Sequence, residues 1–326
     1  MLNIVKKDNV CLLCGSSANI IYNNLKDDLF SVPGLWGIVR CKSKKCGLAW
    51  LIPEPDKDEI KEFYKSYYTH DVVRNKKIEF RNSFEKILYR TIKIVYSLVR
   101  RLLFINRERE NLEYMLLKKF KGRVLEIGCG NGERLYKLKK YGFLAEGVEI
   151  DEKAANIAEK KYDLKIYRGD IRELNIPSDS FDFIIMNHVL EHVSEPISFL
   201  KECKRIIKRG GKIILTTPNF DSYSHKYFKQ YWRGLEPPRH LYLYTLGSLD
   251  ILCKKAGLNK SKIWTSTAKT EFIIGDSIRL EKKIKGIYNL FFSDIIKIWY
   301  LQVKIRLLNF FKKDAGDECV LIAEKV

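Results

Sequence analysis

Short, nearly unbroken apolar blocks alternate through the middle of the chain with stretches whose apolar positions recur every three or four residues. Val124-Leu125-Glu126-Ile127 runs into Gly128-Cys129-Gly130-Asn131-Gly132, which predicts a buried parallel strand that turns tightly into a helix at Glu133. Ala145-Glu146-Gly147-Val148-Glu149-Ile150-Asp151 ends a second strand, and Lys165-Ile166-Tyr167-Arg168 is a third that leads into Gly169-Asp170-Ile171. Phe181 to Asn187 reads as a fourth, and Gly210 to Phe220 as a turn and a fifth. Leu246 to Ala256 is a helix with Gly257 near its end, and Val320-Leu321-Ile322-Ala323 is the last strand. Strand and helix alternating in this way predict an α/β, doubly wound sheet.

Three stretches depart from that rhythm. Between Asp56 and Phe120 the pattern is helical: Ile87, Leu88, Ile92, Val95, Tyr96, Val99, Leu102 and Leu103 recur at helical spacing, with Lys86, Arg90, Lys93, Arg100, Arg101 and Arg107 between them. Such a basic amphipathic helix either packs its stripe on the main domain as a lid or connector, or lies on an anionic membrane surface. Residues 218–245 hold an aromatic, basic connection, with Tyr223, Tyr227, Phe228, Tyr231, Trp232 and Arg233 before Pro237-Pro238-Arg239-His240-Leu241. At the carboxyl ends of strands, that is where a substrate would sit. Between Lys260 and Asp317 lies an insertion, helical over about 265–315, carrying Ile284, Ile287, Tyr288, Phe291, Ile295, Ile298, Trp299, Val303 and Leu307, interrupted by Lys297, Lys304 and Arg306. With the earlier basic helix it could form a docking face for a lipid-linked, anionic substrate, or serve as a cap or dimer surface.

Composition narrows the class. With 326 residues, 46% hydrophobic and 31% charged, the chain can bury one large α/β core and something smaller. No run of about 18 uncharged apolar residues exists to span a bilayer, and the first residues lack a secretory h-region, so the cytoplasm is the expected location, with the inner membrane face as a peripheral site. The net charge of +20 favours a polyanionic partner or anionic surface, although a lysine-rich composition alone would produce it. Cys11-Leu12-Leu13-Cys14 and Cys41-Lys42-Ser43-Lys44-Lys45-Cys46 present two pairs of thiols, each on a short turn. Four thiolates can close a tetrahedral, structural zinc site with no open position, against the alternative of four unrelated buried cysteines. So short a segment needs metal to be stable. Residues 1–55 are therefore expected to form a zinc-ribbon-like module, 56–121 a connector, and 122–326 the main domain.

The glycine turn has the form Glu-x-Gly-x-Gly-x-Gly and not Gly-x-Gly-x-x-Gly, which leans away from NAD. Glu149, at the end of the second strand, can accept bonds from both hydroxyls of a ribose, in NAD and S-adenosylmethionine sites alike. The turn resembles the first motif of class I S-adenosylmethionine-dependent methyltransferases, and the later strands and the 188–193 segment are similar to that family over roughly Gly122 to Ala256. The resemblance implies a Rossmann-like sheet, mostly parallel with the last strand antiparallel. It also implies a cofactor site of Glu126, Gly128, Cys129, Gly130, Gly132, Glu149, Ile150, Asp170, Ile171 and Asn187, with Asp170 beside the adenine amino group. A helix N-cap is the other reading of Asp170. The cysteine knuckles and the Pro-Arg-His-Leu step resemble methyltransferases of glycan and natural-product pathways that carry an N-terminal ribbon.

His188-Val189-Leu190-Glu191-His192 also matches H-x-x-E-H, a zinc-protease motif, but it follows a strand and has no helix of its own. A related quinone-biosynthesis group holds a divalent metal with Glu at the position of His188, and the histidine argues against that metal here. An O-methyl transfer is helped by a general base. His240 is the first candidate, His188 and His192 the next, with loop or packing structure as the plainer reading of each. The leading function is methyl transfer from S-adenosylmethionine to a small-molecule, sugar or lipid-linked glycan acceptor. The alternatives are a nucleic-acid methyltransferase, suited by the ribbon and the charge, and a non-catalytic nucleotide-binding module.

Overall fold

The computed structural model describes residues 9–56, 59–60, 63, 78–105, 121–287 and 289–326. Most of the expected connector between 57 and 77 and between 106 and 120, Arg107 included, and Tyr288 lie outside the described residues.

The alternating middle of the chain folds as expected. Strands β5 (Arg123–Ile127), β6 (Leu144–Glu149), β7 (Lys165–Arg168), β8 (Phe181–Asn187), β9 (Ile207–Pro218), β11 (Lys260–Ser266) and β13 (Glu318–Glu324) make a seven-stranded sheet in the order β11-β13-β9-β8-β5-β6-β7. The five central and flanking strands β9, β8, β5, β6 and β7 pair in parallel, and β13 runs antiparallel to both its neighbours. Alternation along each strand assigns its residues to two cores. Leu125, Ile127, Ile184, Met186, Ile213, Leu215 and Leu321 join one; Val124, Phe183, Ile185 and Ile214 join the other. Burial on both faces explains why these strands read as unbroken apolar blocks. Helices α2 (Glu133–Lys140) and α3 (Glu152–Tyr162), which contact β6 and β7, and α4 (Pro196–Ile206) and α6 (Leu246–Lys255), which contact β9, β11 and β13, complete the layers. The segment at Lys260, expected to open a helical insertion, instead begins with edge strand β11, paired along its whole length to β13.

A second sheet of four strands has the order β1-β2-β3-β10, from β1 (Ala18–Leu25), β2 (Trp36–Cys41), β3 (Ala49–Ile52) and β10 (Tyr242–Leu243). The cysteine segment thus takes its last strand from the Pro-Arg-His-Leu connection. It also shares a core with the large sheet, since Leu13, Trp50 and Leu51 cluster with Leu125 and Ile127. Three side-chain ties reinforce the join: Asp27 to Arg239, Arg40 to Asp221, and Tyr22 Oη to His225 Nε2 at 2.9 Å. Beyond the two sheets lie α1 (Ser83–Leu102), the short α5 (Tyr223–Phe228), α7 (Thr270–Ile284), α8 (Phe292–Phe311) and a parallel pair of two-residue strands, β4 (Ile78–Glu79) and β12 (Leu290–Phe291). Tyr89 and Tyr96 of α1 stack on Trp299 of α8, with ring centroids 5.6 and 4.5 Å apart.

Candidate functional site

The glycine turn sits at the carboxyl end of β5, between β6 and β8. Backbone N–H groups of Gly128 and Cys129 both donate to the Val148 carbonyl, at 2.8 and 3.2 Å, which bends the chain sharply toward α2. Gly132 is the N-cap of α2 at φ 76°, and a Cβ there would stand 2.7 Å from Ala158 and Leu164. Gly130 also has positive φ, but the space a Cβ would enter is empty to 4 Å. One glycine is needed for packing, the other leaves an open approach to the backbone. Glu149 spans the turn: Oε2 accepts from Gly130 N at 2.7 Å, and Oε1 from Ile150 N and Asp151 N at 2.9 and 3.0 Å. Beside this carboxylate the Ile150 side chain is 60% exposed, an apolar surface next to a fixed acceptor. A ribose and an aromatic base would be held by that combination, so the residues fit an adenine nucleoside group such as the one S-adenosylmethionine carries.

The other expected cofactor residues divide. Glu126 is buried and accepts from Arg134 of α2, Nε at 2.6 Å. The Cys129 thiol packs inward against Gly147 and Ile171 is core, leaving only their backbones to face a ligand. Asn187 Oδ1 accepts from Thr216 Oγ1 at 2.8 Å. Asp170 caps a turn, not a helix: it accepts from Arg172 N at 2.9 Å and pairs with the Arg172 guanidinium at 2.5 Å.

The three candidate histidines occupy different environments. His188 lies directly after β8, next to Val189, whose side chain covers Gly128. Its Nδ1 meets Glu191 Oε1 at 3.1 Å and its Nε2 meets Glu318 Oε1 at 2.7 Å. Burial and Lys269 push the imidazole down, but these carboxylate bonds outweigh them and raise its pKa above the usual 6.5. Glu191 is fully buried, accepts also from Thr217 Oγ1, and despite the upward push of burial is held down to about 2 by His188. His240 is 4% exposed, its Nδ1–H donates to the Gly234 carbonyl at 2.7 Å, and burial pushes it down to about 4. His192 Nδ1–H donates to the Arg239 carbonyl at 3.0 Å, and its ring stands edge-on to His240 with centroids 4.8 Å apart. Glu191, His192 and His240 bring ligand-type atoms within 4.8 Å of one another, but the Glu191 oxygens already serve His188 and Thr217. His188, the one bridged by two carboxylates, is the histidine beside the glycine turn.

The residues that complete this region were not foreseen. Glu318 arrives from β13, and Lys269 stands 3.5 Å from it. Arg239 has no side-chain exposure, and its two terminal nitrogens each sit 2.9 Å from an oxygen of Asp27 while Nε reaches Glu236 at 3.1 Å. Each partner lies far away in sequence or in an unpatterned loop, so no local signal marks it.

At the other end of the four-stranded sheet Cys11, Cys14, Cys41 and Cys46 converge, with all four sulfurs within 4.8 Å. Cys11 and Cys46 sulfurs are 3.7 Å apart, and those of Cys14 and Cys41 3.4 Å. A disulfide would need about 2.05 Å, whereas sulfurs bonded at about 2.3 Å to one tetrahedral ion lie roughly 3.8 Å from each other. The longer second knuckle closes because the Ser43 carbonyl accepts from both Cys46 N and Gly47 N, at 3.0 and 2.9 Å.

A family model described as a methyltransferase domain matches residues 97–262, half of the chain. An uncharacterised protein of Methanocaldococcus jannaschii is 37% identical over 110 residues, 34% of this chain and 51% of that protein. The ubiquinone biosynthesis O-methyltransferase of Coxiella burnetii is 33% identical over 107 residues, 31% of this chain and 46% of that enzyme. The chain spans about half the length of the curated relatives it matches. A solved SAM-dependent methyltransferase from Thermotoga maritima aligns with a TM-score of 0.47 at 22% identity, covering 74% of this chain and 98% of that one.

Proposed function

The chain belongs to the methyltransferase-domain family, and from that premise we propose that it moves the methyl group of S-adenosylmethionine to an oxygen of a small-molecule, sugar or lipid-linked glycan acceptor. The observation that carries this reading is the Glu149 carboxylate fixed by three backbone N–H groups beside the open Gly130. Bound there, S-adenosylmethionine supplies a methyl group already activated on sulfonium, so the protein needs chiefly to orient an acceptor and move one proton. The similarity to ubiquinone biosynthesis O-methyltransferases supports oxygen as the acceptor atom.

His188 is the proton-handling group in this proposal, ahead of His240, whose buried ring is turned to backbone. Glu191 and Glu318 orient the imidazole; an acceptor hydroxyl taking the place of Glu318 at Nε2 of the neutral ring would give its proton to that nitrogen, and Glu191 at Nδ1 would stabilise the imidazolium that forms. Zinc held by Cys11, Cys14, Cys41 and Cys46 would be structural: four thiolates leave no position for substrate, and the ion would tie the 11–14 turn to the turn between β2 and β3.

Calorimetric titration with S-adenosylhomocysteine, with NAD as the control, tests the cofactor. The expected result is micromolar binding of the homocysteine compound alone. Glu149→Ala should weaken it by at least about tenfold, the value of a lost hydrogen bond to a charged group, and lower the melting temperature as well, because three backbone N–H groups lose their acceptor. Binding of neither compound would overturn the proposal.

A further inference from the structure

Helix α1 has two apolar sides, and the described residues cover only one. Tyr89, Tyr96 and Ile92 turn inward to Trp299 and its neighbours. On the opposite side Phe84, Ile87, Ile94, Leu98 and Leu102 recur every three to seven residues and are all more than half exposed, Leu102 to 76%. Over 20 residues this makes a strip about 30 Å long. The strip continues onto a second helix. Tyr89 packs on Phe292, Tyr96 on Trp299, and Arg306 Nε donates to the Leu103 carbonyl at 3.1 Å. The two helices therefore run in the same direction, and their carboxyl ends meet. At that shared end Phe310 and Phe311 are 83% and 81% exposed.

The charges beside the strip have one sign. Lys86, Arg90, Lys93 and Arg101 of α1 and Lys312 and Lys313 after α8 are exposed, and among the described residues none of them forms an ion pair. Arg100, whose guanidinium faces Glu271 at 3.1 Å, belongs to the inner side. The one acid of α1, Glu85, lies in its first turn. Protruding aromatic and aliphatic side chains bordered by lysine and arginine match a surface with an apolar interior and an anionic rim. A second copy of the chain would set these cations against their own kind.

We infer that the exposed face of α1 and the carboxyl end of α8 dock on an anionic lipid bilayer, lying in its interface. No helix among the described residues is long and apolar enough to cross one. Docking would bring the methyltransferase domain to a membrane-held substrate, but it does not depend on the proposed reaction and is tested apart from it.

The test is co-sedimentation of the whole protein with vesicles of phosphatidylcholine containing phosphatidylglycerol, and with pure phosphatidylcholine vesicles. The expected result is binding to the anionic vesicles that weakens with salt, and little binding to the neutral ones. The pair Phe310→Ser with Phe311→Ser, and separately Arg90→Glu with Lys93→Glu, should each weaken binding by at least about tenfold. These positions are exposed, so melting temperature and S-adenosylhomocysteine affinity should not change. No sedimentation with anionic vesicles would overturn the inference, and so would full binding by both variant pairs. A dimer that Leu98→Asp dissolves, without vesicle binding, would assign the face to a second copy.

Discussion

The glycine turn and the four-thiol ribbon are two sites in one protein built on opposite plans. In the turn, the polar groups that fix the backbone come from one stretch of sequence: Glu149 is 19 residues from the Gly130 N–H it receives. The ribbon is finished by residues far away. Arg239 reaches Asp27 across 212 positions, and Thr245 Oγ1 donates to the Cys46 carbonyl across 199. A site assembled locally is stabilised by the strand and helix that flank it. One assembled from distant parts needs strong individual ties, such as a buried ion pair or a metal.

Removing the ties of the ribbon should therefore have the largest effects. Stripping metal from the holoprotein with a strong chelator, or Cys46→Ser, is expected to cost roughly 5 kcal/mol or more. Hydrogen exchange should speed up across residues 11–52 while S-adenosylhomocysteine still binds; equal loss at the glycine turn would erase the contrast. Next, Arg239→Ala leaves Asp27 buried without its cation and should cost about 3–5 kcal/mol in urea unfolding. Restoring much of that with Asp27→Asn in the same chain would identify the ion pair as the cause.

Within the turn, two glycines separate stability from binding. Gly132→Ala drives a methyl into Ala158 and Leu164 and should cost about 2–4 kcal/mol, from overpacking and the left-handed backbone together. Gly130→Ala meets nothing and should cost only about 1 kcal/mol, yet weaken the cofactor analogue by at least about tenfold because the added methyl stands in its approach. The smallest effect concerns His188. Its pKa is raised by two carboxylates, so the stability it contributes is full below the unfolded value near 6.5 and is lost as pH rises through the folded value. Glu318→Gln should lower the His188 pKa, read by NMR titration of the ring; an unchanged pKa would remove Glu318 from its role.

The same division between local and distant governs what the sequence could reveal. The strands, the turn, Glu149 and the pairs of cysteines were legible because periodicity and short spacings express them. Glu318 was not, since an acid at the start of a strand looks like any strand boundary until the sheet closes beside His188. Nor was Asp27, one of two adjacent acids in the loop between β1 and β2. β11 was misread as part of an insertion because an edge strand needs only partial burial, and Lys260-Ser261-Lys262 gives little alternation. The amphipathic character of α1 was plain, but one helix with apolar residues on two sides reads as a single broad stripe, and only packing shows which side is covered.

The pairing of Trp50 and Ala49 with Tyr242 and Leu243 has a consequence in time. During synthesis, β2 and β3 leave the ribosome long before their edge partner exists, and a contact of such sequence separation is slow to close. In the interval the apolar side of β3 waits uncovered, with the four thiols already together in the nascent chain. Early capture of an ion would hold those strands in register until the rest of the domain arrives to cover them.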